Sequence, residues 1–411
     1  MSNRNIPKIR FKEFINMWNN YKLGQLGNFK SGIGFPDSQQ GGTEGIPFFK
    51  VSDMNNIGNE TEMRNANNYV TQEQIMKNSW KVINETPAII FAKVGAALML
   101  NRKRLVTKPF LIDNNTMSYS FDESWDKDFG LTLFQTINLP KYAQIGALPS
   151  YNASDIAMIK VNVPNVQEQS TIGSLFRTLD DLLASYKDNL ANYQALKANM
   201  LSKMFPKAGQ TVPEIRLDGF EGEWKKSKLK DVAHRVQGND GRMDLPTLTI
   251  SASGGWMNQI DRFSANIAGK EQKNYTLLKR GELSYNHGNS KLAKYGVVFE
   301  LQEYEEALVP KVYHSFRVNQ LADSKFIEIM FSTKIPDREL GKLISSGARM
   351  DGLLNISFDD FMNIAIIIPT IKEQQAIGSY FSNLDNLIKS HQEKVSQLET
   401  LKKKLLQEMF I

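Results

Sequence analysis

Cysteine is absent from all 411 residues. Disulfides, thiol nucleophiles and cysteine-based zinc sites are excluded together. Histidine is scarce: His234, His287, His314 and His391 all lie in the second half, and none sits in a metal-ligand spacing. With no His or Cys in the first half, a duplicated hydrolase of the usual kinds is not expected. No apolar run reaches the roughly 18 residues that span a bilayer. The nearest candidate, Pro87 to Leu100, is short and carries Lys93. The opening MSNRNIPKIRF lacks the apolar stretch of a signal peptide, so a cytoplasmic protein with no membrane partner is expected. No Pro-Pro dipeptide occurs, which removes the polar-Pro-Pro-aromatic pocket that base-flipping methyltransferases need. Gly32 and Gly34 have neither a third glycine nor a following helix pattern, so they read as a turn rather than a phosphate loop.

What remains is an ordinary globular balance, 41% hydrophobic and 23% charged, with a net charge of +6 and a pI of about 9.1. Such a basic excess permits nucleic-acid binding without establishing it. Glu300, Glu303, Glu305 and Glu306 cluster, but they have no counterpart in the first half and read as a solvated strand end and turn. Neither catalytic residues, nor a cofactor, nor a metal is expected.

The chain is written twice. Pro7, Ile9, Arg10, Phe14, Trp18 and Leu23 return, 206 residues on, as Pro213, Ile215, Arg216, Phe220, Trp224 and Leu229. Residues 164–205 align without gaps on 369–410, and 16 of these 42 positions are identical. Ordinary composition would give about two or three. Between the matched ends only echoes survive. Ile89 to Lys93 resembles Leu283 to His287, and Ser118 to Phe121 resembles Tyr313 to Phe316. One fold is used twice, with different loops.

The matched C-terminal segments predict long helices. Asn165-x-x-Glu168 and Thr370-x-x-Glu373 are capping boxes. Apolar residues then recur in steps of four and three. The first helix offers Ile172, Phe176, Leu179, Leu183, Tyr186, Leu190, Tyr193, Lys197, Met200 and Met204. The second offers Ile377, Phe381, Leu384, Ile388, His391, Val395, Leu398, Lys402, Leu405 and Met409. A period of about 3.5 residues held this long predicts a coiled coil. Both seams are broken at the same place, by Lys197 and Lys402. Two matched helices in one chain, each following its own globular part, predict an intramolecular antiparallel pair.

The globular parts read as mixed α/β (α+β). Strand-like runs are Ile46 to Val51, Ala88 to Ala92, Ile156 to Val163, Leu245 to Ile250, Tyr295 to Leu301 and Met362 to Ile368. Trp18 and Trp224 are read as packing residues, and Phe48 and Phe49 as core. Tyr151 to Asp155 and Ser357 to Asp360 are read as segments that orient each domain on its helix, with an approach to DNA as the alternative.

This architecture resembles the specificity subunit of type I restriction-modification systems. The resemblance covers the whole chain. It is carried by Pro164-x3-Glu168-Gln169-x2-Ile172 with Leu179-Asp180 and Met204-Phe205, and by Pro369-x3-Glu373-Gln374-x2-Ile377 with Leu384-Asp385 and Met409-Phe410. The openings that end in Trp18 and Trp224, and the segment Gly45 to Asp53, add to it. The resemblance implies two target-recognition domains, residues 1–163 and 207–368, related by an internal pseudo-twofold repeat. Spacer helices at 164–206 and 369–411 would join them as an antiparallel coiled coil. It implies a non-catalytic, sequence-specific subunit that reads a bipartite site in double-stranded DNA. Its partners would be two methyltransferase subunits, with restriction subunits in the full complex. The alternative is a coiled-coil protein-interaction scaffold without DNA specificity.

A reader domain needs cations for phosphates and amides or guanidiniums for base edges. In the first domain these are Lys93, Asn101, Arg102, Lys103 and Arg104. In the second they are Asn286, His287, Asn289, Ser290, Lys291 and Lys294. Both groups follow echoed strands.

Overall fold

In the computed structural model, which describes residues 6–144, 148–263, 269–288, 291–344 and 353–410, the two expected helices are α1 (Val166–Lys203) and α2 (Ile371–Glu408). Each has 38 residues, a length of roughly 57 Å at about 1.5 Å per residue. Every residue of both expected seams is buried or half-buried, whereas Ser174, Thr178 and Ala184 on the far side are exposed. The chain divides into two units, residues 1–187 with 393–411 and residues 188–392, so both helices contribute to both units. Within the first unit, Asp180 and Lys187 of α1 meet Lys402 and Glu399 of α2. Numbering rises on one helix and falls on the other, so the pair is antiparallel. Within the second unit, Tyr193 and Lys197 meet His391 and Asp385 in the same sense.

The repeated Glu-Gln-x-x-Ile-Gly run has a physical explanation in each unit. The capping boxes form only in part. Asn165 Oδ1 accepts the Glu168 N–H at 2.9 Å, and Thr370 Oγ1 accepts that of Glu373 at 3.4 Å. The glutamate side chains do not complete the box. The Glu168 carboxylate instead receives Arg10 Nε at 2.6 Å, Arg10 Nη2 at 2.7 Å and Trp18 Nε1 at 3.1 Å. Glu373 receives Arg216 Nε at 2.8 Å, Arg216 Nη2 at 2.7 Å and Trp224 Nε1 at 3.3 Å. The neighbouring glutamine is also used twice. Gln169 accepts from Asp126 N–H and donates to the carbonyls of Ser124 and Pro164. Gln374 does the same with Asp323, Leu321 and Pro369. Gly173 lets the short helix Lys127–Thr136 approach closely, since a Cβ there would stand 2.5 Å from Asp126 Oδ1.

Each unit is built on a four-stranded antiparallel sheet. In the first unit the strands are β1 (Gly27–Ser31), β2 (Ala88–Ala92), β3 (Lys103–Val106) and β4 (Thr116–Phe121), in the order β1-β4-β2-β3. In the second unit they are β5 (Ala233–Arg235), β6 (Leu283–Asn286), β7 (Val297–Glu300) and β8 (His314–Val318), in the order β5-β8-β6-β7. The faint echoes are the two central strands of each sheet, β2 with β4 and β6 with β8. β2 reads as a continuous apolar run because it is covered on both faces. Ile89 and Phe91 enter the core shared with Trp18, Phe129, Ile172 and Phe176, while Ala88 and Ile90 enter a second core with Phe49, Met54 and Phe110.

A two-stranded ribbon then joins each sheet domain to its helix. Asn19–Lys22 pairs with Lys160–Val163 in the first unit, and Lys225–Lys228 pairs with Ala365–Ile368 in the second. Four of the expected strands begin later than the apolar pattern suggests, at Lys160, Leu248, Val297 and Ala365. Residues 156–157 belong to a short helix, Ala153–Ala157, whose cap pairs the Asn152 N–H with the Asp155 carboxylate. Met362 ends the helix Phe358–Met362, capped by Ser357. Gly32 lies in a close approach rather than a ligand loop, because a Cβ there would stand 1.8 Å from the Asp113 carbonyl oxygen.

Removing one member of a buried, bidentate ion pair strands the other, at a cost of about 3–5 kcal/mol. Glu168→Ala should therefore destabilise the first unit by about that amount, and Glu373→Ala the second. Urea unfolding followed by circular dichroism measures both. A loss below about 1 kcal/mol, the range of an exposed pair, would show that the clamp is dispensable.

Candidate nucleic-acid interface

β2 is followed by Lys93, whose backbone N–H donates to the Asn115 carbonyl and whose carbonyl accepts from the Tyr151 N–H. The Tyr151 hydroxyl donates to the Ala92 carbonyl, which ties the strand end to the segment before the ribbon. Gly95, at φ +75°, then turns the chain into the short helix Ala96–Met99. Asn101 follows in the left-handed region, at φ 52°. Its amide donates to the Ile137 carbonyl at 3.2 Å and its oxygen accepts the Leu139 N–H at 3.1 Å. Asn101 is thus a pin between two loops, with both ends of its amide in use.

Strand alternation splits the Arg102-Lys103-Arg104 cluster. Lys103 points inward, is 5% exposed and donates to the Ile137 carbonyl at 2.6 Å. Burial without an anion pushes its ammonium down to about 7. Arg102 and Arg104 point the other way and are half-buried. Arg102 donates to the Asn55 side chain, and Arg104 to the carbonyls of Lys103 and Met54. Burial, and then the neighbouring Arg102 charge, lower the Arg104 value. The expected four-residue cationic loop is therefore two inward supports and two guanidiniums against the 54–55 turn.

In the second unit β6 ends at Asn286, whose amide donates to the Ile250 carbonyl and whose oxygen accepts the Gly288 N–H. His287 is 5% exposed. Its Nδ1 stands 2.8 Å from the Leu354 carbonyl and its Nε2 2.8 Å from that of Val312, so neither ring edge is open to a base. The His287 ring stacks on His314 at 4.7 Å and 15°, and His314 Nε2 is held by the Ile356 carbonyl at 2.9 Å. Burial lowers the His314 pKa to about 4, with smaller contributions from His287 and Arg235. Lys291 and Lys294 are exposed, and Lys294 Nζ lies 5.3 Å from the Tyr295 ring centroid. Asn289 and Ser290 lie outside the described residues.

The structure separates the expected contact residues into two kinds. Asn101, Lys103, Asn286 and His287 brace the loops through backbone groups. Lys93, Arg102, Arg104, Lys291 and Lys294 retain cationic groups with access to solvent. Lys225, Lys226, Lys228 and Lys230 went unnoticed in the sequence, although the lysine run is plain. All four are exposed, with no ion pair among the described residues. The acidic residues Glu305 and Glu306 are instead neutralised by Arg280 and Arg242. Among the described residues no cluster of His, Asp and Glu could hold a metal, and no helix is long and apolar enough to cross a membrane.

A family model described as the type I restriction modification DNA specificity domain matches the chain twice, at residues 16–217 and 221–400. The specificity subunit of the type I restriction enzyme MjaVIII from Methanocaldococcus jannaschii is 21% identical over 276 residues. That match spans 63% of this chain and 63% of the relative, under two thirds of its length. The crystal structure of the type I restriction-modification S subunit from M. genitalium superposes with a TM-score of 0.60 at 13% identity, covering 99% of both chains. At that identity the likeness concerns the fold.

The stacked histidines give a pH signature. His314 has a folded pKa of about 4, below its ordinary 6.5. The unfolded chain therefore takes up this proton first, and stability rises with pH through that window. The contribution is complete above about 6.5 and is lost as pH falls towards about 4. His314→Gln should flatten the thermal stability profile of the second unit between these limits. An unchanged slope in calorimetry would remove His314 from the account.

Proposed function

The chain belongs to the type I restriction-modification DNA specificity family, and from that premise we propose that it is the non-catalytic subunit that reads a bipartite site in double-stranded DNA. The observation that carries this is the double match of one specificity-domain model to a chain whose two copies agree in their frame and differ in their loops. Agreement in the frame suits identical partners, and difference in the loops suits two unlike half-sites. Residues 1–163 and 207–368 are the readers, and residues 164–206 and 369–411 the spacer. The spacer docks two methyltransferase subunits, one for each copy of the repeated frame, and restriction subunits join the full complex. The site of action is the cytoplasm, where that DNA lies. A coiled-coil scaffold without DNA specificity accounts for the helices but gives no reason for two differently armed loop sets.

Within the readers, Lys93, Arg102, Arg104, Lys291 and Lys294 supply phosphate or base contacts, while Asn289 and Ser290 belong to the same second-domain loop. Asn101, Lys103, Asn286 and His287 act one step behind, by holding those loops in place. This reading separates neighbours in the sequence. Arg102→Ala, or Lys291→Ala with Lys294→Ala, should weaken DNA binding and reduce the slope of log affinity against log salt by about one per cation lost. Lys103→Met should leave the salt slope unchanged, whatever affinity is lost by loosening the loop, although it removes a charge from the same tetrapeptide. Equal effects of Arg102→Ala and Lys103→Met on that slope would refute the division.

Exchanging residues 23–159 for another first reader leaves both strands of the ribbon and both helices intact. Mapping methylated adenines after co-expression with the methyltransferase subunit should then find one half of the recognised motif changed and the other kept. A motif altered in both halves would rule out independent readers.

A further inference from the structure

The two lysines that interrupt the apolar seams are not tolerated defects. In the first unit Lys402 Nζ lies 2.5 Å from Asp180 Oδ1, and in the second unit Lys197 Nζ lies 2.5 Å from Asp385 Oδ1. Both pairs are part-buried between the helices. Asp180 and Asp385 are the same position of the repeat, as are Lys197 and Lys402. Each helix thus contributes one aspartate and one lysine to the crossed pairs, and each of these lysines finds the aspartate of the other helix.

We propose that these crossed pairs are the register lock of the spacer: they select one antiparallel alignment of α1 and α2, and through it one gap between the DNA half-sites. The link to the gap rests on the DNA-reading function proposed above. The link to the register does not.

The alternatives are penalised by charge. A parallel, in-step pairing of the two copies would set Lys197 against Lys402 and Asp180 against Asp385, joining like charges twice. An antiparallel slip of one heptad would carry Lys402 from Asp180 to Gly173 or Lys187, and Lys197 from Asp385 to Gly378 or Gln392. Either slip leaves an ammonium in the seam without its anion. The mid-seam apolar residues would meet similar neighbours, while the end contacts of Phe410 on Trp18 and Phe205 on Trp224 oppose the slip together with the charge pairs. Apolar contacts alone distinguish heptad registers poorly, and a polar residue at one seam position specifies register at a cost in stability. The internal repeat makes the lock reciprocal, because antiparallel pairing is the arrangement in which two copies of one Asp-and-Lys helix present opposite charges to each other.

The test replaces both lysines in the full chain, Lys197→Met with Lys402→Met. The seam becomes continuous, so the protein should fold with unchanged or higher thermal stability, while the part-exposed carboxylates of Asp180 and Asp385 hydrate. Register is read on the cysteine-free chain by spin labels at Ala184→Cys and Ser396→Cys, both exposed and both in the first unit. The parent should give one distance. The Met variant should give a second, distinct distance, set by an axial slip of one heptad, about 10 Å at about 1.5 Å per residue, combined with the lateral separation of the two labels. In complex with its methyltransferase, the Met variant should also methylate sites whose gap differs from the parental one, with both half-sites unchanged. Reversing all four charges together should restore a single distance and a single gap. A single unshifted distance in the Met variant overturns the lock. Failure of the parent complex to mark any bipartite site overturns the DNA-reading function instead, and leaves the distance measurement to decide the register.

Discussion

Glu168 and Glu373 each bury a carboxylate beneath a tryptophan, with 1% of the side chain exposed, and each must then be satisfied by donors from the segment that opens its own domain. The guanidinium of Arg10 or Arg216 grips both oxygens, and the indole N–H of Trp18 or Trp224 adds a third bond. The same arginines reach back to a main-chain carbonyl, that of Asn16 or Gly222, which fixes the turn before the tryptophan. Each tryptophan also receives an edge-on phenylalanine from the end of the other long helix, Phe410 on Trp18 and Phe205 on Trp224. A main-chain bond accompanies each contact, Ile9 to Glu408 and Ile215 to Lys203. One buried charge therefore joins a domain's beginning, the start of its own helix and the end of its partner helix. Such a charge is expensive to strand, and the two copies have kept the whole arrangement while their loops diverged.

The frame was legible because its physics is periodic or paired. Seam positions recur in alternating steps of four and three, and the matched Arg, Trp, Glu and Gln residues recur about 205 residues on in the second copy. What the sequence hid was the pairing itself. Glu168 and Glu373 read as capping residues because a capping box is local, whereas their actual partners lie 158 and 157 residues away. Lys197 and Lys402 read as interruptions for the same reason. The run from Ile156 to Val163 misled differently: an apolar stretch of that length has no periodicity to tell a helical turn from a strand, and the Asn152–Asp155 cap decided it.

The candidate contact loops were legible only as composition. Four polar residues in a row, Asn101 to Arg104, carry no signal of which way each side chain points until β3 is placed on the edge of its sheet. Once it is placed, alternation sends Lys103 inwards and its neighbours outwards. The buried polar atoms without a partner among the described residues, Arg104 Nε, Ser120 Oγ, Asn239 Oδ1 and Gln259 Oε1, all belong to the sheet domains and none to the helical frame. Natural proteins satisfy nearly all such groups. Among the described residues, the helical frame has no such atom.

Lysine illustrates why a net charge of +6 says so little about where an anion binds. Lys103 is held by one carbonyl and depressed by burial to about 7, so at neutral pH it is a costly internal support. Lys402 faces a carboxylate across the helix pair, where its charge is cancelled locally and spent on alignment. Lys294 lies over an aromatic ring at the surface, where its charge remains available to a partner. Lysines paired at short range contribute little to the field felt beyond a Debye length, about 8 Å at physiological salt. The long-range field of this chain is therefore set by the cations that lack an internal anion, on loops, ribbons and exposed helix faces alike. Their positions follow from strand direction and capping, which the frame dictates, and their number is free to differ between the two copies.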